Sequence, residues 1–171
     1  MPLIVDLKRV SVNAVSPCRT VRAKATGTSG ITVEFGLTGL NGHEERTLDT
    51  AVSSAVNGAV AGYRKATTMV MKRHRASWAA EDRDRVVAGR RRLGEAVADL
   101  TVRGISEHGH VRARMSGRDG FALRIRPGTL HLLRRDETSM AAEINSAVAV
   151  VMSEYNRRLT SIRRNGAREH G

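Results

Sequence analysis

HVRARMSGRDGFALRI, residues 110–125, aligns without gaps on TVRAKATGTSGITVEF, residues 20–35, at an offset of 90. Val21 meets Val111, Arg22 meets Arg112, Ala23 meets Ala113, Lys24 meets Arg114, and Gly27 and Gly30 meet Gly117 and Gly120. Farther along, two additional residues move the offset to 92, and Val52, Ala55, Val56 and Tyr63 fall on Ile144, Ala147, Val148 and Tyr155. Solenoid units run about 20–50 residues, so this longer period indicates two copies of one small domain. The first spans residues 1–76 and the second residues 77–171.

Within each copy the apolar period changes from 2 to 3.6, the signature of strands followed by a helix. Val111, Ala113 and Met115 alternate with Arg112 and Arg114; Phe121, Leu123 and Ile125 alternate with Ala122, Arg124 and Arg126. The Gly-x-x-Gly between the two runs predicts a hairpin turn. An earlier strand is predicted at residues 10–14 of one copy and 101–105 of the other, making each copy a three-stranded antiparallel meander. Leu48, Val52, Ala55, Val56, Ala59, Tyr63 and Val70 recur at helical spacing, as do Met140, Ile144, Val148, Val151, Tyr155, Leu159 and Ile162. A leading helix capped by Ser77, with a seam of Val86, Leu93, Val97 and Leu100, is predicted for the second copy alone. The predicted class is therefore α+β, two tandem β-β-β-α units of which the second has a leading helix. The two meanders are candidates for one six-stranded sheet, and residues 48–100 read as helices with a break near Ser77.

Twenty-nine basic residues against 17 acidic ones give a net charge of +12, and the excess divides evenly between the copies. Arginine supplies most of it, and its planar fork binds phosphate oxygens in pairs. Residues 64–92 hold Arg64, Lys65, Lys72, Arg73, Arg75, Arg83, Arg85, Arg90, Arg91 and Arg92; the last helix closes with Arg157, Arg158, Arg163 and Arg164. On the strands, Arg112, Arg114, Arg124 and Arg126 are predicted to share one sheet face, whereas the matching positions of copy one hold Arg22, Lys24, Thr32 and Glu34. Clustered positive charge on this scale exceeds what solubility requires and points to a polyanion. Five aromatic residues, Phe35, Phe121, Tyr63, Tyr155 and Trp78, are too few for a base-stacking RNA platform. No compact base-reading helix surface is evident, so the contact is predicted to be with phosphates and not with base edges.

Other chemistries are set aside. No apolar run approaches the ~20 residues of a membrane span, and MPLIVDLKRV lacks a secretory leader, so a cytoplasmic protein without membrane contact is expected. Cys18 is the single cysteine, which excludes an intrachain disulfide. His108, His110 and His131 lack companion carboxylates or thiols at metal-ligand spacing, and the Gly-x-x-Gly sequences lie between strands, not between the helices of a phosphate-gripping loop. Tyr63 and Tyr155 occupy equivalent helix positions and read as packing residues. No Walker loop or H-E-x-x-H is present, and neither an enzyme, a cofactor nor a metal site is expected.

ADLTVRGISEHGHVRARMSGRDGFALRIRPGTL, residues 98–130, resembles the YbaB/EbfC family of nucleoid-associated proteins: a leading helix, a first strand ending in a Gly/Ser-containing turn, a second strand reaching a Gly, and a third strand ending in a Pro-containing turn. LDTAVSSAVNGA, residues 48–59, is similar to the start of that family's closing helix, and the two copies extend the resemblance from about residue 8 to about residue 164. The resemblance implies an α-β-β-β-α protomer, a tweezer-like pairing that would here be a covalent pseudo-dimer, and duplex DNA binding with little sequence preference at the nucleoid. It implies DNA contacts near helix tips, at Lys72, Arg73, Arg83, Arg85, Arg90, Arg91, Arg163 and Arg164. The first copy departs from the family pattern in lacking a leading helix. Further homodimerisation through an open sheet edge is left open. A structural adapter that docks an acidic protein through the Val86, Leu93, Val97 and Leu100 seam is the alternative.

Overall fold

The computed structural model describes residues 3–27, 30–75, 94–133 and 135–168. Helix α1 (Leu3–Arg9) leads into strands β1 (Ser11–Val15), β2 (Val21–Thr26) and β3 (Gly30–Phe35), followed by the long helix α2 (Glu45–Arg75). The second half repeats the order: helical residues 94–99 (α3), then β4 (Thr101–Ile105), β5 (Val111–Ser116) and β6 (Gly120–Ile125). The short α4 (Thr129–Leu132) and the long α5 (Glu137–Arg168) complete it. The α+β class and the two meanders match the sequence reading; Ser77 and the predicted break lie outside the described residues.

The first repeat does have a leading helix, contrary to the sequence expectation. Its apolar residues Leu3, Ile4, Val5 and Leu7 are nearly contiguous instead of periodic, so pattern alone does not reveal a helix. Tertiary geometry does. The Val10 N–H bonds Leu7 O at 3.3 Å and the Gly27 N–H bonds Val10 O at 3.3 Å; at the matching positions the Leu100 N–H bonds Val97 O at 3.2 Å and the Gly117 N–H bonds Leu100 O at 2.9 Å. A Cβ on Gly27 would stand 2.5 Å from Leu7 O, and one on Gly117 would collide with Val97 O. The first glycine of each Gly-x-x-Gly thus admits the leading helix. The second, Gly30 or Gly120, takes the positive φ that the hairpin needs, at 75° and 79°.

Each sheet is antiparallel, ordered β1-β2-β3 and β4-β5-β6, and the two do not join. Alternate strand residues face the helices: Val21, Ala23, Ala25 and Val33 in one sheet, and Val111, Ala113, Met115, Phe121, Leu123 and Ile125 in the other, are all buried. Against them pack Leu48, Val52, Val56 and Ala59 of α2, and Met140, Ile144, Val148, Val151 and Tyr155 of α5. Tyr155 lies in this core and Tyr63 packs against it.

A six-stranded sheet does not form because helices occupy the edges that would pair. Helix α2 crosses β1 and β2 and reaches β6, while α5 crosses β4 and β5 and reaches β3. Asp49, Ser53 and Asn57, one turn apart on the flank of α2, accept the N–H groups of Ile125, Leu123 and Phe121 at 2.7, 3.0 and 2.8 Å. In return, Asn145 of α5 accepts the Val33 N–H at 2.7 Å and donates to Val33 O at 2.9 Å. Ser53 and Asn145 correspond at the offset of 92, and Leu123 and Val33 at the offset of 90, so the two halves cap each other reciprocally. Side-chain amides, hydroxyls and carboxylates replace the missing strand as partners for edge groups that cannot be buried unpaired.

Candidate nucleic-acid interface

The outward face of the second sheet carries four arginines because the inward positions of the same strands are apolar and the side-chain period is 2. Arg112 stands directly opposite Arg124 across β5 and β6, and Arg103 stands opposite Arg114 across β4 and β5. Arg103, which the sequence reading missed, was readable from the same alternation in β4, where Val102 faces inward and Arg103 outward. Among the described residues only Arg114 of the four has an acidic partner within ion-pair distance, Asp119 at 3.5 Å, with both side chains well exposed. Like charges placed directly opposite destabilise a sheet. Two such pairs on one exposed face are a cost to folding that a bound polyanion would offset.

Arg126 extends this face just past the end of β6, where its N–H bonds His110 O at 2.8 Å. There Arg112, Arg124 and Arg126 converge with Glu45, Arg46 and Asp49 of α2 on one open notch. Arg46 reaches the notch only through tertiary packing, since the first turn of α2 abuts β6 of the other repeat; nothing local in the sequence announces it. Burial pushes the Asp49 carboxyl up to about 6, against the opposing pull of the Ile125 N–H and the nearby Arg124 guanidinium, with Glu45 adding to the rise. The notch thus sets four arginines around two carboxylates, Glu45 and Asp49, of which Asp49 gives up its proton reluctantly.

The predicted site residues fall into separate groups. Lys72 and Arg73 are exposed on the last turns of α2, and Arg163 and Arg164 on those of α5. The distal halves of these helices flank a common groove, with Tyr63 and Arg64 on one wall and Tyr155, Leu159 and Arg163 on the other. Arg157 and Arg158 are engaged by Glu154 at 2.7 and 2.6 Å. Their hydrogen bonds hold the Glu154 carboxyl down at about 2. Arg46 and Arg73 are 27 positions apart in one helix, which at 1.5 Å per residue separates the notch from the tips by roughly 40 Å. The structure therefore does not gather sheet-face and helix-tip charges into one patch. Arg75 closes α2, while Arg83, Arg85, Arg90, Arg91 and Arg92 lie outside the described residues.

A second polar cluster sits at the β4–β5 turn. Buried Glu143 accepts the Ser106 hydroxyl and the His108 Nδ1–H, both at 2.5 Å. The hydrogen bond to Glu143, and then its charge, raise the pKa of His108. In the first repeat Cys18 replaces His108 and Ala51 replaces Glu143, so this pair has no counterpart there.

No helix among the described residues is long and apolar enough to cross a membrane. In comparisons with known proteins, no family model, no curated protein and no solved structure matches the chain.

Proposed function

We propose that the chain binds duplex DNA with little sequence preference through the arginine face of its second repeat, as a nucleoid-associated protein of the YbaB/EbfC type. The observation that carries this reading is the pair of like-charge cross-strand contacts, Arg112 opposite Arg124 and Arg103 opposite Arg114. Phosphates spaced along a duplex neutralise such a row without reading bases. The helix-tip cations, Lys72, Arg73, Arg163 and Arg164, supply a second set of backbone contacts. The reciprocal bonds of Ser53 to Leu123 and of Asn145 to Val33 support treating the two halves as a covalent pseudo-dimer, because such mutual contacts are what a two-fold interface produces.

The adapter reading loses one of its anchors, since Leu100 is buried in the core and unavailable to a partner. Fluorescence anisotropy with two unrelated mixed-sequence duplexes tests the DNA reading. Equal binding to both at low salt, falling steeply as salt rises, is the expected result; no binding at low salt overturns it and returns the arginine face to an acidic protein.

A further inference from the structure

The two repeats share a scaffold around the notch but not its charges. At the second repeat, Glu45 of α2 accepts the Leu130 N–H at 3.3 Å. At the first, Glu137 of α5 accepts the Leu40 N–H at 3.3 Å. Glu45 and Glu137 correspond at the offset of 92 and Leu130 and Leu40 at 90, so the helix start is fastened to the loop after the third strand in the same way on both sides. Around this common fastening, Arg46 of α2 stands with Arg112, Arg124 and Arg126 of the second repeat. The matching positions on the other side are Thr138 of α5 and Arg22, Glu34 and Gly36 of the first repeat. Arg22 there stands directly opposite Glu34, a cross-strand pair of opposite charge that satisfies itself.

We infer that, of the two corresponding surfaces among the described residues, the notch formed by Arg46 with Arg112, Arg124 and Arg126 alone anchors phosphate, so that one chain holds one duplex, which the helix-tip cations contact as well, and does not bridge two. This single-site assignment rests on the proposed DNA binding. The site is composite: Arg46 comes from the first repeat and the other three arginines from the second, so a bound phosphate backbone spans the junction between them. Two equivalent arginine surfaces would crosslink duplexes; the divergence at three of the four matching positions, Arg22 alone being retained, removes one of them.

The test uses the full chain, a bead-bound duplex and a fluorescent duplex of different sequence. Wild-type protein binds each duplex in anisotropy, yet beads loaded with duplex and limiting protein capture no more fluorescent duplex than beads without protein. Thr138→Arg with Glu34→Arg, both at exposed positions, rebuilds the missing surface and gives several-fold capture, with an unchanged far-UV circular dichroism spectrum. Arg46→Thr with Arg124→Glu, the reverse exchange, abolishes anisotropy binding at moderate salt and, where binding persists at low salt, lowers the salt slope by about 0.9 for each phosphate no longer held. Capture by the wild-type chain overturns the single-site inference while leaving DNA binding standing. Failure of both duplexes to bind at low salt overturns the DNA reading and the inference with it.

Discussion

Asn145 joins the two halves of the chain by closing on Val33, accepting its N–H at 2.7 Å and donating to its carbonyl at 2.9 Å. One amide thereby satisfies both outward groups of a buried residue on the edge of the other repeat's sheet. Asn145→Ala leaves them unpaired, and an unsatisfied buried group costs about 1–3 kcal/mol. Urea unfolding of this variant should show a lower midpoint at unchanged slope. An unchanged midpoint means that water substitutes for the amide and that the reciprocal capping is not a source of stability.

Asp49 reverses the usual pH dependence of a carboxylate. Its folded pKa lies at about 6, above the ordinary aspartate value of 3.8. Between these values the folded chain binds more protons than the unfolded one, so this group's contribution falls as pH rises through that window and stays at its lowest above it. An asparagine side chain in its place would offer the same oxygen to the Ile125 N–H without a desolvated charge. The melting temperature of Asp49→Asn relative to wild type should therefore rise between pH 4 and pH 7. A difference that is flat with pH contradicts the buried, reluctant carboxylate.

His108 shares the protonation sense of Asp49, but the form that the fold favours is the charged one. Its hydrogen bond to Glu143 raises its pKa, so the stability it adds is fully present below the unfolded value near 6.5 and is lost as pH rises through the higher folded value. Proton NMR of the His108 ring should give a midpoint above that of an ordinary histidine, and Glu143→Gln should bring it down. A midpoint indifferent to Glu143→Gln shows that the pair does not persist in solution.

Much of this architecture was legible in the sequence because period and repeat reinforce each other. The alternation around Arg112 and Arg124 identified both the strands and their charged face, and the stripe from Leu48 to Ala59 identified the buried side of α2. The leading helix of the first repeat was not legible, since its docking depends on the absence of a Cβ at Gly27 and not on any pattern within the helix. Nor was the separation of the sheets, which depends on Asp49, Ser53, Asn57 and Asn145 finding strand edges more than sixty positions away. The positive surface was seen in outline. Arg46 entered it only through packing between repeats, and the distance between the notch and the helix tips follows from the unbroken length of α2.

The arginine face predicts a trade between stability and binding. Arg112→Thr removes one member of a like-charge pair and supplies a residue well suited to an exposed strand position. The variant should be as stable as wild type or more so, by about 0.2–1 kcal/mol, the scale of a single cross-strand pair. A clear loss of stability in chemical denaturation shows that Arg112 is held for folding and not for a ligand.

The salt dependence of duplex affinity, compared between wild type and Arg112→Ala/Arg124→Ala, tests the central claim most directly. Each phosphate contact contributes about 0.9 to the slope of log affinity against log salt. The double variant should show a slope shallower by close to two contacts' worth on every sequence tried, while Arg22→Ala/Lys24→Ala on the first repeat changes it little. An unchanged slope in the Arg112→Ala/Arg124→Ala variant contradicts the assignment of DNA binding to this face.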